Sequence, residues 1–175
     1  MINMTELEIL KYPDPFLRTT NIELVNPVIP DSVVALIESM KETMKKFGGK
    51  GLASTQVGKD LSIIIVTRQT YAKLDIIPMI NPEIVEYSPH LRDSMEGCLS
   101  IPGVYGFVKR PEWVKVRYLD EEGKEHTTTA TGAFSSVIQH EDDHLKGILF
   151  IDKMSKKEYK KVKPLLKKLE KCHGE

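Results

Sequence analysis

Between Pro30 and Gly48 the apolar residues Val33, Ile37, Met40, Met44 and Phe47 recur at steps of four, three, four and three, the repeat of one helical face. The spacing predicts a helix that opens with Asp31 or Ser32 as cap and stops at Gly48-Gly49. The runs "LSIIIVT" and "IIPMINP" are apolar and rich in β-branched residues, which predicts strands. "VKVRYLD" and "EEGKEHTTT" predict a hairpin around Gly123. Residues 133–146 suit a second helix closed by Gly147, with Phe134, Val137, Ile138 and Leu145 as its apolar contacts. In the tail, Ser155 and Glu158 form a capping box before a stripe of Tyr159, Val162, Leu166, Leu169 and His173. Pro164 interrupts that stripe at a cost of about 3 kcal/mol in a helix interior, so a kink or break is expected between Lys160 and Pro164. At the other end, the prolines of "YPDPFLR" favour an extended arm over the body.

The 175 residues suit one compact domain, 1–175. Strands followed by a helix predict an α+β fold, with antiparallel or mixed strands packed around a central helix and a C-terminal helix added. The 25 basic and 25 acidic residues cancel, which argues against sequence-specific nucleic-acid binding. The balance is uneven, because the nine lysines from Lys153 onward face only Glu158, Glu170 and Glu175. Two cysteines, Cys98 and Cys172, do not make a disulfide scaffold and fit a reducing compartment. The first residues lack a basic stretch followed by an apolar one, and no apolar run is long enough to cross a bilayer, so a soluble cytoplasmic protein is expected.

Chemistry concentrates in "QHEDDHLKG", where His140 and His144 project from one side of a helix and can grip a single ion. Glu141 then lies beside a water on that ion, whose pKa falls from about 15.7 towards neutrality. The plainer role for Glu141 is a surface pair with Lys146. The long zinc-protease motif would need a third histidine where Phe150 stands. Glu158 and Glu170 sit on a lysine-rich segment where they read equally well as solvated charges, which leaves Cys98 in "MEGCLSIPG", read as a shaped loop, as the remaining soft candidate for third ligand, with a buried core cysteine as its plainer role. The glycine-rich "GGKGLASTQ" reads as a turn allowing close backbone approach at Gly49 and Gly51. Its Gln56 offers an amide N–H where an oxyanion would form, or a hydrogen bond that steadies the turn.

Taken in order, "GKGLASTQ", "EGCLS" and "QHEDDHLKG" resemble the three motifs of the peptide deformylases, as do "YPDPFLR" and "INPEI". The resemblance implies removal of the formyl group from N-formylmethionyl peptides. It implies Cys98, His140 and His144 as metal ligands, Glu141 as general acid/base, and Gln56 with the backbone N–H of Leu99 as oxyanion donors. It pairs Glu96 with Arg110. The implied ion is Fe2+, with Zn2+, Ni2+ or Co2+ able to replace it. Gly49, Gly51, Val137 and Tyr105 are expected along the substrate, Tyr105 standing where many bacterial members carry arginine. Lys50, Ser54, Ser136 and Asp142 also depart from the family pattern. The basic segment from Ser155 to Cys172 is expected to meet the ribosome transiently. The same residues would also serve another metal-dependent peptidase, or a protein that binds metal and peptide without turnover.

Overall fold

The computed structural model describes residues 6–20 and 22–172. The first predicted helix is α1, Asp31–Lys46, and it buries Val33, Ile37, Met40 and Met44. Phe47 has left the stripe: it caps the C-terminus and is 45% exposed. The chain continues through β1 (Gly51–Ala53), a 3-10 turn (Ser54–Val57), β2 (Ile63–Gln69), β3 (Leu74–Tyr87), β4 (Leu91–Cys98) and β5 (Ile101–Pro111). The predicted hairpin follows as β6 (Trp113–Leu119) and β7 (Glu125–Thr131), then helix α2 (Gly132–Leu145) and the C-terminal helix α3 (Lys156–Cys172).

Five strands form one sheet in the order β1-β2-β3-β6-β7, and β4 with β5 forms a separate two-stranded sheet. All the ladders are antiparallel. The unbroken "IIIV" of β2 is explained by coverage on both faces. Ile63 and Ile65 pack with the α1 stripe, while Ile64 and Val66 pack with Ile138 and Leu145 of α2. A third cluster joins Ile101, Val104 and Val108 of β5 to Phe150, Met154, Val162 and Leu166, fastening α3 to the small sheet. Helix α2 lies between the two sheets, with every side chain from Ile138 to Leu145 buried.

Three expectations are corrected. The arm is not extended throughout: Pro15–Arg18 form a 3-10 turn capped by Asp14, whose carboxylate accepts the Phe16 N–H at 2.8 Å, and Leu17 is buried beneath it. Proline suits such a first turn because its missing N–H would have had no partner there. Cys98 is not on a loop but ends β4. Helix α3 runs through Pro164 without a break. Pro164 stands on the exposed face, so the Lys160 carbonyl it deprives of a donor is open to water, while Val162 and Leu166 anchor the opposite face. His173 of the predicted stripe lies outside the described residues.

Candidate active site

Each of the three motifs ends on a different element, and the fold brings those ends together. In β4–β5 the register passes from Gly97↔Tyr105 to Cys98↔Ile101, so residues 102–104 bulge from β5, with Gly103 at φ 75°. Leu99-Ser100 is left as a tight turn, and the bulge turns Cys98 towards α2. The donor atoms of Cys98, His140 and His144 lie within 4.8 Å of one another. Cys98 Sγ is 3.2 Å from His144 Nε2 and remains a free thiol.

His140 is oriented from behind. Its Nδ1 lies 2.9 Å from Glu96 Oε2. Glu96 is ionised: burial pulls its pKa up, but Arg110 and then His140 outweigh that and hold it at about 2. Nδ1–H therefore donates to Glu96, which turns Nε2 towards the other donors as the ring nitrogen that would hold an ion. Arg110 grips Glu96 with Nε at 2.8 Å and Nη2 at 2.9 Å, and its Nη1 donates to Asp143 Oδ2 at 2.6 Å. Asp143 in turn meets Lys153 at 3.2 Å. The expected Glu96–Arg110 pair is present. Asp143 is a fixed position of the third motif, but its pairing with Arg110 was not read from the sequence.

Glu141 is 4% exposed, and its Oε2 has no hydrogen-bond partner. Burial, the largest influence, raises its pKa to about 7 despite the opposing field of His140. The surface pair with Lys146 is not formed, because Lys146 reaches Asp142 instead, at 2.5 Å. Asp142 is buried and points away from the histidines, lining a small cavity with Tyr87 and Arg110. Gly51 lies directly against Glu141, and a Cβ there would collide with Oε1. A Cβ on Gly49 would come within 2.8 Å of the Leu99 side chain. The close approach expected of both glycines is thus present.

Gln56 is fixed at both ends of its amide. Oε1 accepts the Ala53 N–H at 2.8 Å, while Nε2 donates to Ser100 Oγ at 3.1 Å and borders Cys98 Sγ at 3.4 Å. The Tyr105 ring covers Gly97, where a Cβ would approach it to 2.5 Å, yet Tyr105 is 67% exposed. Val137 is half-buried against the α2–sheet cluster, one turn before His140. Sequence reasoning missed Ser100 and Lys11, whose Nζ donates to the Leu99 carbonyl at 2.6 Å.

The residues fit a divalent ion. Two imidazole rings and one cysteine sulfur converge, His140 has its outer support, and among the described residues no fourth protein donor joins the three, the donor set of a catalytic rather than a structural site. Such a centre with a buried carboxylate beside it defines a mononuclear metal hydrolase. The polypeptide deformylase family model matches residues 6–160, and the chain belongs to that family. It is 42% identical over 154 residues to the peptide deformylase of Desulfotalea psychrophila, covering 87% of this chain and 89% of that one. It is 40% identical over 172 residues to peptide deformylase 1 of Pseudomonas syringae pv. tomato, covering 97% and 98%. Among solved structures, a plant peptide deformylase superposes with a TM-score of 0.91 at 33% identity, covering 97% of this chain and 91% of that one. A Met-Ala-Ser-bound class I type b peptide deformylase from Acinetobacter baumannii superposes at 0.80 with 32% identity, covering 86% and 99%.

Proposed function

We propose that the whole chain acts as one peptide deformylase domain, hydrolysing the N-formyl group of formylmethionyl peptides and releasing formate. One observation carries the reading: a buried carboxylate with an unpartnered oxygen, Glu141, stands beside His140, one of three converged metal donors. When bound, the ion supplies a Lewis acid that polarises the formyl oxygen and acidifies water. Glu141 would take a proton from the attacking water as the water's oxygen bonds to the formyl carbon. The pair of electrons displaced onto the formyl oxygen is met by N–H donors, Nε2 of Gln56 and the backbone amide of Leu99. Glu141 then passes its proton to the departing amine, the C–N bond breaks, and formate leaves with a free methionine N-terminus. A Glu141 pKa raised towards neutrality suits both halves of that transfer.

Strand β1 is the edge of the five-stranded sheet, so one side of its backbone is open to an extended peptide. Gly49 and Gly51 form that border, Tyr105 the opposite one, and Val137 a wall for the methionine side chain. The Met-Ala-Ser bound to the Acinetobacter relative supports a peptide of this kind. We assign Fe2+ as the working ion on the family membership, with Zn2+, Ni2+ or Co2+ as replacements, a site of one sulfur and two imidazoles binding zinc more tightly than iron. No helix among the described residues is long and apolar enough to cross a membrane. The reading places the enzyme in the cytoplasm, with the lysine face of α3 meeting ribosomal phosphates in passing.

The test is formate release from formyl-Met-Ala-Ser, beside the acetylated and the unmodified peptide. The parent is expected to act on the formylated peptide alone. Glu141→Ala is expected to keep about one metal equivalent and lose turnover, and Cys98→Ala to lose both. Equal hydrolysis of the acetylated peptide would make it a general amidase. Full metal content with no hydrolysis would make it a binder.

A further inference from the structure

We infer that Lys11 is a positioning residue for the oxyanion donors, through a clamp made by three successive residues of the N-terminal arm. The inference rests on Gln56 and Leu99 being those donors. Leu10 N–H donates to the Gln56 carbonyl at 2.8 Å, and Tyr12 N–H donates to the Ser100 carbonyl, also at 2.8 Å. Between them, Lys11 Nζ donates to the Leu99 carbonyl at 2.6 Å. The two donors come from separate parts of the chain, the 3-10 turn after β1 and the β4–β5 turn, 43 positions apart by their numbers. Their backbones share no strand ladder, since β1 and β4 belong to different sheets. The arm spans the gap and touches both.

Lys11 is the only one of the three that acts through its side chain, and it acts where the backbone is weakest. The Leu99 carbonyl belongs to the central peptide of a tight turn, the one group that can rotate between turn types while the flanking strands stay paired. A charged donor at 2.6 Å fixes that peptide, and so restrains Leu99, whose own N–H is the oxyanion donor of the proposed mechanism. The ammonium also sits 5.7 Å from the centre of the Phe47 ring, so its stem and head are both held. An oxyanion donor is effective only when its direction is set before charge develops. The clamp sets it.

The experiment measures kcat and KM for formyl-Met-Ala-Ser with Lys11→Met, Lys11→Arg, Gln56→Ala and the Lys11→Met/Gln56→Ala double variant, with metal content and unfolding temperature for each. Methionine keeps the stem and removes the donor. Lys11→Met is expected to lower kcat about tenfold with KM within about twofold, full metal and an unfolding temperature near the parent's, since the contact matters in the transition state. Lys11→Arg is expected to recover kcat to within about threefold, and the double variant to lose less than the product of the singles. If Gln56→Ala loses about a hundredfold while Lys11→Met stays within about twofold of the parent, the clamp is overturned and the donor assignment stands. If both singles keep the parent's kcat, the donor assignment itself has failed and the clamp falls with it. A Lys11→Met loss that arrives with lost metal or a lowered unfolding temperature, and that arginine does not restore, would make the arm a structural strap and overturn the positioning role.

Discussion

Arg110→Met tests the reasoning about the buried charges most severely. Arg110 is 3% exposed and holds Glu96, which is 7% exposed, in a two-point grip. Removing it strands a carboxylate that the fold cannot hydrate. Two routes give the cost. Loss of one partner from a buried ion pair is worth about 3–5 kcal/mol. In the same direction, Arg110 and His140 together outweigh burial and hold Glu96 at about 2 against an ordinary 4.5, a net effect on the order of 3 kcal/mol at about 1.4 kcal/mol per tenfold in proton affinity, with Arg110 the larger contributor. The sign follows from the depressed value: this stability is present above pH 4.5 and is lost as pH falls towards 2. Asp143 retains Lys153, which confines most of the loss to Glu96. Urea unfolding of the metal-free protein at neutral pH is expected to show a loss of about 3 kcal/mol in Arg110→Met, shrinking as pH drops below 4.5. Metal affinity is expected to fall about 10–100-fold, because a Glu96 that takes up a proton no longer accepts cleanly from His140. Adding Glu96→Gln and Asp143→Asn should return part of the stability, since a neutral buried group costs less than an unpaired charge. A single variant within about 1 kcal/mol of the parent at every pH would refute the account.

Gly51→Ala is expected to push Glu141 off its line, lowering kcat by about tenfold or more with metal content unchanged; full activity would mean that Gly51 does not set the carboxylate's place. The acid limb of kcat/KM should fall tenfold per pH unit with a midpoint between 4.5 and about 7, because burial raises Glu141 and a bound cation draws it back down; activity unchanged at pH 4 would assign the base elsewhere. Protein loaded with Fe2+ without oxygen is expected to turn over faster per bound ion than the zinc form and to lose activity in air, with nickel outlasting it; equal, air-stable rates for iron and zinc would reject Fe2+ as the working ion.

The sequence was most legible where apolar residues face inward and least where function occupies the interior. The α1 stripe and the β2 run were read correctly because burial there is purely apolar. Strands β4 and β5 were missed because β4 inverts the usual code. Leu91 and Met95 are each 58% exposed, while Ser94 and Glu96 are buried at 5% and 7%. Alternation is present, but the inward positions carry polar groups, Glu96 among them supporting His140. Pro164 misled for a different reason: the penalty against proline assumes a carbonyl shut away from water, and this one is exposed. The histidines, Cys98, Glu141 and Gln56 were found through motif and resemblance. The contacts of Asp143, Ser100 and Lys11 were not, since their partners lie far along the chain, even though Asp143 and Ser100 stand inside two of the motifs.

The same inversion explains how a helix so polar can be buried between two sheets. Buried charge is tolerable when each group has a partner, and here the partners form a line from His140 through Glu96, Arg110 and Asp143 to Lys153 at the surface. The line ends before the reacting face. Among the described residues, the buried side-chain polar atoms without a partner are Arg92 Nε, His144 Nδ1 and Glu141 Oε2. Two of those three belong to the histidine motif itself. Glu141 receives none of the neutralising contacts given to Glu96, and that difference separates two buried carboxylates by pKa, one near 2 and one near 7. The lower value keeps a fixed anion behind the ligand; the higher one keeps a proton within reach at neutral pH. Joining Glu141 to the charge line, for instance by letting Lys146 reach it instead of Asp142, would lower its pKa and weaken it as a proton acceptor. The Lys146–Asp142 pair therefore holds the Lys146 ammonium away from Glu141, whose Oε2 stays unpaired.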